Sequence, residues 1–92
     1  MANQDQFFRA LGVRVKELRK KRGYSQEDML SFGFSTRHWQ QVEAGRPITV
    51  TTLLRICEVF ELPMSKLVHG LDAERVYEKL EPISPLRRRR RT

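Results

Sequence analysis

The chain has little of what builds disulfides or metal sites. Cys57 is the only cysteine among 92 residues, so no disulfide can form within the chain. The two histidines, His38 and His69, stand far apart in the sequence and at no metal-ligand spacing. We therefore expect no metal and no cofactor. We interpret Cys57 as a small apolar core residue, with redox sensing as the alternative.

Long apolar runs are also lacking. No run approaches the roughly 20 residues that a bilayer span requires, and the polar start MANQDQ is unlike a signal peptide. Hydrophobic residues at 39% and charged residues at 32% are typical of a soluble globular domain. We expect a cytoplasmic protein with no membrane partner. The sequence also lacks paired carboxylates, a Ser-His-Asp set and a phosphate-cradling glycine loop, so we do not expect an enzyme.

Acidic residues are outnumbered, 11 against 18 Lys and Arg, giving a formal net charge of +7. The run Arg87–Arg91 supplies five of these bases, and without it the net charge falls to +2. A second basic cluster occupies residues 14–22, whereas residues 50–81 carry more acids than bases. This distribution indicates that the N-terminal half faces a polyanion. The alternative is that these charges only solvate the surface.

Apolar periodicity predicts an all-α chain. Spacings of three and four indicate an amphipathic helix from about Asp5 to Arg22, ended by Gly23. Its core-facing residues are Phe8, Leu11, Val15 and Leu18.

A second helix is predicted to begin at Ser25, which can cap the amide of Asp28, and to end near Ser31. Met29 and Leu30 are its expected apolar anchors.

A third helix follows the break at Gly33, with Ser35 as its cap and Trp39 and Val42 facing the core. The opposite face is formed by Thr36, Arg37, Gln40, Gln41 and Ala44. Arg can pair with guanine and Gln with adenine in the major groove, so this face is suited to contact base edges. The alternative is that long polar side chains simply cover an exposed helix.

The remaining pattern predicts three more segments. Thr49 opens a fourth helix, and a short fifth helix runs from Pro63 to Gly70. The apolar face of the fourth helix comprises Leu53, Ile56, Cys57 and Phe60. A sixth segment, AERVYEKL, precedes a proline-containing linker and the arginine run.

Four stretches in this order, LGVRVKELRKKRGYSQ, SFGFSTRHWQQVEAG, ITVTTLLRICEVF and ELPMSKLV, resemble the phage Cro/repressor family of helix-turn-helix regulators, also called the xenobiotic-response-element (XRE) family. The resemblance covers about Leu11 to Gly70. It implies a compact five-helix DNA-binding domain over residues 5–70. A C-terminal helix over residues 71–81 and a linker with the basic tail over residues 82–92 would follow.

The resemblance also implies roles for residues on the third helix. Base contacts fall on Thr36, Arg37 and Gln41, with Gln40 beside them. Arg19 and Glu43 match a pair that forms a partly buried salt bridge between the first and third helices.

Contacts to the DNA backbone are expected from a second group of residues. Gln26 lies at the start of the second helix, where its amide and the helix N-terminus can hold a phosphate. The resemblance implies that this Gln also braces the third helix. Further candidates are Arg14, Lys16, Arg46 and the amides near Thr49. His38 either touches phosphate or is a partly buried structural residue.

The leading hypothesis is a sequence-specific transcriptional regulator, expected to be a repressor, that binds a palindromic operator in double-stranded DNA as a homodimer. Val76, Tyr77 and Leu80 form an apolar face that either supports the dimer or folds back onto its own domain. One alternative is an antitoxin that binds a toxin and represses its own operon, because GRPITVTTLLRI resembles such proteins. Another is RNA binding by the tail. The tail contacts to nucleic acid would come from Arg87, Arg88, Arg89, Arg90 and Arg91.

Overall fold

The computed structural model describes residues 3–72 of the chain. The predicted sixth segment, with Val76, Tyr77 and Leu80, lies outside these residues, as do the linker and the arginine tail. Within residues 3–72 the backbone forms five helical segments and no strand. They are α1 (Gln4–Lys21), a 3-10 helix (Glu27–Phe32), α2 (Thr36–Glu43), α3 (Val50–Phe60) and α4 (Met64–Leu67). The predicted all-α fold class is therefore confirmed, and none of these helices could cross a bilayer.

Side-chain caps fix where α2 and α3 begin; the sequence predicted Ser35 as a cap and Thr49 as the residue that opens α3. The Ser35 hydroxyl accepts a hydrogen bond from the His38 amide at 3.0 Å. The Thr49 hydroxyl accepts one from the Thr52 amide at 3.1 Å. Each bond satisfies one of the amides that the first turn of a helix leaves without a partner.

The second predicted helix needs correction, because it is a 3-10 helix with only one of its two expected anchors in the core. Ser25 and Asp28 do bond reciprocally, but only Met29 is buried, and Leu30 is 59% exposed. Consecutive side chains point about 100° apart on an α-helix and about 120° apart on a 3-10 helix, so the burial of Met29 leaves Leu30 pointing away from the core.

The core gathers around Trp39. The indole packs edge-on against Phe34 at a centroid distance of 5.0 Å and contacts Phe60 at 6.2 Å. Phe34 was not predicted to be buried, whereas Leu11, Val15 and Ile56 occupy the core as expected. Leu71, after α4, is also buried, so the core extends almost to the last described residue.

Helix α1 crosses the end of α2 at a glycine. A Cβ atom on Gly12 would lie 2.6 Å from the carbonyl oxygen of Glu43 and 2.9 Å from that of Val42. Real Cβ atoms do not approach backbone oxygens so closely. Only glycine therefore permits this distance between the two helices.

We expect Gly12→Ala to destabilise the fold by roughly 1–3 kcal/mol, because the methyl group must push α1 away from α2. Without the clash, alanine would stabilise an internal helical position by up to about 1 kcal/mol. Urea denaturation measures the change. The control is Val13→Ala, at the neighbouring and 43% exposed position, which should change stability by less than about 0.5 kcal/mol. A Gly12→Ala variant more stable than the wild type would contradict this packing.

Candidate nucleic-acid interface

Helix α2 is buried on one face and polar on the other. Trp39 and Val42 are almost fully buried, and the opposite side carries the residues predicted to contact bases. Arg37 and Gln40 are exposed, and Thr36 and Gln41 are partly exposed. The structure thus brings all four predicted base-contacting residues onto one surface, which we call the outward face of α2. This face carries no carboxylate.

The turn before α2 is held by a residue that the sequence did not single out. Gly33 adopts a left-handed conformation with φ of +90°, and its carbonyl accepts a hydrogen bond from Arg55 at 2.7 Å. The same guanidinium lies 4.3 Å from the centre of the Phe34 ring. Arg55 therefore fixes α3 to the turn through a hydrogen bond and a cation-π contact.

The end of α2 is anchored by a cluster consisting of Arg19, Gln26, Trp39 and Glu43, which we call the Glu43 cluster. The Glu43 carboxylate accepts hydrogen bonds from Nε and Nη2 of Arg19, from the Trp39 indole and from the Gln26 amide. The side chains of Arg19 and Glu43 are only 9% and 5% exposed. The predicted Arg19–Glu43 salt bridge is confirmed.

Glu43 remains ionised in this buried place because of its donors. Burial by itself raises the pKa of Glu43. Hydrogen bonds from Arg19, Gln26 and Trp39, with the positive charge of Arg19, outweigh burial and hold the pKa below its ordinary value of 4.5. The cluster is therefore a charged, fully bonded contact between α1, the start of the 3-10 helix and α2.

Gln26 lies between this cluster and the outward face. Its Nε2 donates to Glu43 at 3.0 Å, and its Oε1 accepts from Nε2 of Gln40 at 3.2 Å. One N–H of the Gln26 amide remains for another partner. The phosphate contact predicted for Gln26 stays a prediction.

The other residues predicted to contact phosphate differ in whether their side chains are already engaged within the domain. Lys16 and Arg46 are exposed, and their side chains make no hydrogen bond or salt bridge within residues 3–72. Thr49 is exposed, but its hydroxyl is engaged as the N-cap of α3. The His38 ring is half-buried and lies 5.6 Å from the Phe34 ring, which agrees with the structural alternative.

Arg14 has a structural role that was not predicted. Its Nη1 donates to the carbonyls of Leu67 and His69, at 3.1 and 2.5 Å. It thereby joins α1 to the end of α4. A phosphate contact by Arg14 stays a prediction.

Cys57 packs in the core, as expected, and burial raises the pKa of its thiol from the ordinary value of 9.0. A raised pKa keeps the sulfur protonated and unreactive. In the part of the chain that the structure describes, no three His, Cys, Asp or Glu side chains are grouped as a metal ion would need.

Comparison with known proteins adds no assignment: no protein-family model and no curated protein matches the chain.

We expect Glu43→Gln to lower the free energy of unfolding by about 3 kcal/mol at pH 7, because it leaves Arg19 buried without its counter-charge. The pKa of Glu43 is lower in the folded than in the unfolded chain, so its stabilisation is present above pH 4.5 and is lost as the pH falls below that value. Urea denaturation of both proteins between pH 7 and about pH 3 should therefore show the difference narrowing in acid.

The matched control is Glu58→Gln, at an exposed position on α3, which should change stability by less than about 0.5 kcal/mol at pH 7. A difference between wild type and Glu43→Gln that stays constant down to pH 3 would show that the carboxylate is not the stabilising group.

Proposed function

We propose that the chain is a sequence-specific DNA-binding transcriptional regulator of the Cro/repressor helix-turn-helix type, which inserts α2 into the major groove. The observation that carries the proposal is the outward face of α2, where Thr36, Arg37, Gln40 and Gln41 stand together without a carboxylate. Arg and Gln offer the paired donors and acceptors that distinguish guanine and adenine in the major groove.

The surroundings of this face support binding to a polyanion. Lys16 and Arg46 are exposed and unpaired within the described part of the chain, and the N-terminus of α3 begins at Val50, just after the loop that contains Arg46. Backbone amides at a helix N-terminus attract phosphate. These groups would fix the register of α2 on the duplex, and the outward face would supply the sequence preference.

We further propose that the protein binds as a homodimer, because a single eight-residue helix contacts too few base pairs to define an operator. Two copies related by a two-fold axis would place their α2 helices in half-sites roughly 34 Å apart. The apolar residues Val76, Tyr77 and Leu80 are the proposed source of the dimer contact.

We expect Arg37→Ala to weaken binding to a DNA site selected from a random duplex pool by roughly 1–3 kcal/mol, because a bidentate base contact is lost. The affinity of Arg37→Ala for random DNA should fall only as much as the affinity of Lys66→Ala for random DNA falls. That control removes one exposed charge from α4, a helix to which no DNA contact is assigned. Fluorescence anisotropy at fixed salt measures both affinities. Equal losses on selected and random DNA would show that Arg37 contacts only the backbone.

The expected stoichiometry on the selected site is two chains per duplex. Sedimentation equilibrium of the protein with that duplex measures it. Tyr77→Asp should raise the concentration at which the second chain binds, because a charge placed in the proposed apolar contact opposes its burial. One chain per duplex at saturating protein would defeat the dimer proposal.

A second candidate function is an antitoxin that binds a protein partner as well as DNA. It is favoured by Val50 and Leu54, which lie one turn apart on α3 and are 66% and 52% exposed. Both fall within the stretch that resembles antitoxins. The test is whether a small protein encoded next to this chain co-purifies with it. Co-purification with the wild type that is lost in the double variant Val50→Lys, Leu54→Lys would favour this function over a solitary regulator.

A further inference from the structure

A chain of hydrogen bonds connects the buried Glu43 to the exposed face of α2. Gln26 donates its amide N–H to Glu43 at 3.0 Å, and Gln40 donates its own to the Gln26 oxygen at 3.2 Å. In both glutamines the amide nitrogen therefore donates towards the buried end of the chain of hydrogen bonds.

The direction of this chain is set by the carboxylate. An ionised carboxylate only accepts hydrogen bonds, so Gln26 must present its NH₂ group to Glu43. Rotating that amide by 180° would set its oxygen against the negative charge. With the Gln26 oxygen fixed outwards, Gln40 in turn must present its NH₂ group to Gln26.

This arrangement determines what Gln40 offers to a ligand. Its Oε1 and its second N–H make no hydrogen bond within residues 3–72. Adenine exposes a donor at N6 and an acceptor at N7 in the major groove, which matches an oxygen and an N–H side by side. Guanine exposes acceptors at both O6 and N7, so one of them would face the Gln40 oxygen.

We infer that Glu43 and Gln26 are positioning residues that fix the orientation of the Gln40 amide, so that the base pair facing Gln40 is selected as adenine and guanine is rejected. This inference rests on the proposed DNA-binding function. It assigns a part in sequence preference to two residues that do not themselves contact a base.

The first test uses Gln26→Met, which keeps the length of the side chain and leaves Glu43 bonded to Arg19 and Trp39. The base pair that Gln40 contacts is identified as the position of the selected site at which Gln40→Ala no longer prefers one base over the others. At that base pair, the wild type should bind a duplex carrying adenine about tenfold tighter than one carrying guanine. Gln26→Met should reduce this ratio to about twofold or less, since the Gln40 amide can then rotate.

The internal control is the base pair contacted by Arg37, identified as the position at which Arg37→Ala no longer prefers one base over the others. The base preference at that pair should be the same in Gln26→Met and in wild type, because the Arg37 side chain makes no hydrogen bond or ion pair with Gln26 or Glu43 in the described part of the chain. A ratio of two affinities is used so that any uniform loss of phosphate binding by the variant cancels. An unchanged ratio of adenine to guanine in Gln26→Met, or a wild-type preference for guanine, overturns the inference.

The second test needs no DNA. In NMR spectra of the free protein, the side-chain amide protons of Gln40 should show cross-peaks to the side chain of Gln26, whereas those of Gln41 should not. Absence of the Gln40 cross-peaks overturns the inference and leaves the proposed function standing. Conversely, failure to select any DNA sequence from the random pool overturns the proposed function, and with it the base preference, even when the cross-peaks are present.

Discussion

The carboxylate of Glu43 is the contact on which the rest of the arrangement depends. It draws together donors from α1, from the residue before the 3-10 helix and from α2 itself, in a place where its side chain is only 5% exposed. A buried charge is tolerated only when it is paired and hydrogen-bonded. The close approach of α1 at Gly12 to the backbone of Glu43 reinforces the same junction. Both contacts hold the end of α2 on the domain.

Anchoring α2 from its inner face leaves its outer face free to be polar. Trp39 and Val42 bury the inner side, and the outer side retains long side chains with hydrogen-bonding ends. A binding surface works best when its support fixes the position of the side chains before the ligand arrives. The Glu43 cluster provides such support through Gln26, and Arg55 provides it at the Gly33 turn.

Local features of the fold could be predicted from the sequence, and features that depend on distant partners could not. The cap at Ser35 and the buried side of α2 follow from side-chain chemistry and periodicity within a few residues. The pairing of Arg19 with Glu43 was expected from the resemblance alone, since no local pattern joins them. The contact of Arg55 with Gly33 has no periodic signal.

At the site, the four residues of the outward face could be predicted because helical spacing determines which side they occupy. The resemblance implied that Gln26 braces this helix, but its partner Gln40 could not be predicted, because the hydrogen bond between Gln26 and Gln40 depends on how two segments cross. The exposure of Leu30 was missed for a related reason. A six-residue segment of this kind suits either an α-helix or a 3-10 helix, and its local sequence does not decide which of its apolar residues enters the core.

Residue-resolved NMR of the full chain, bound to a duplex selected from a random pool, tests whether α2 is the recognition element. If the anchored α2 helix is the recognition element, the largest amide shift changes should fall on residues 36–41 and at the start of α3 near Thr49. The Arg19–Glu43 contact should remain intact in the complex. Shift changes confined to α4 and the end of α1, with residues 36–41 unaffected, would contradict recognition by α2.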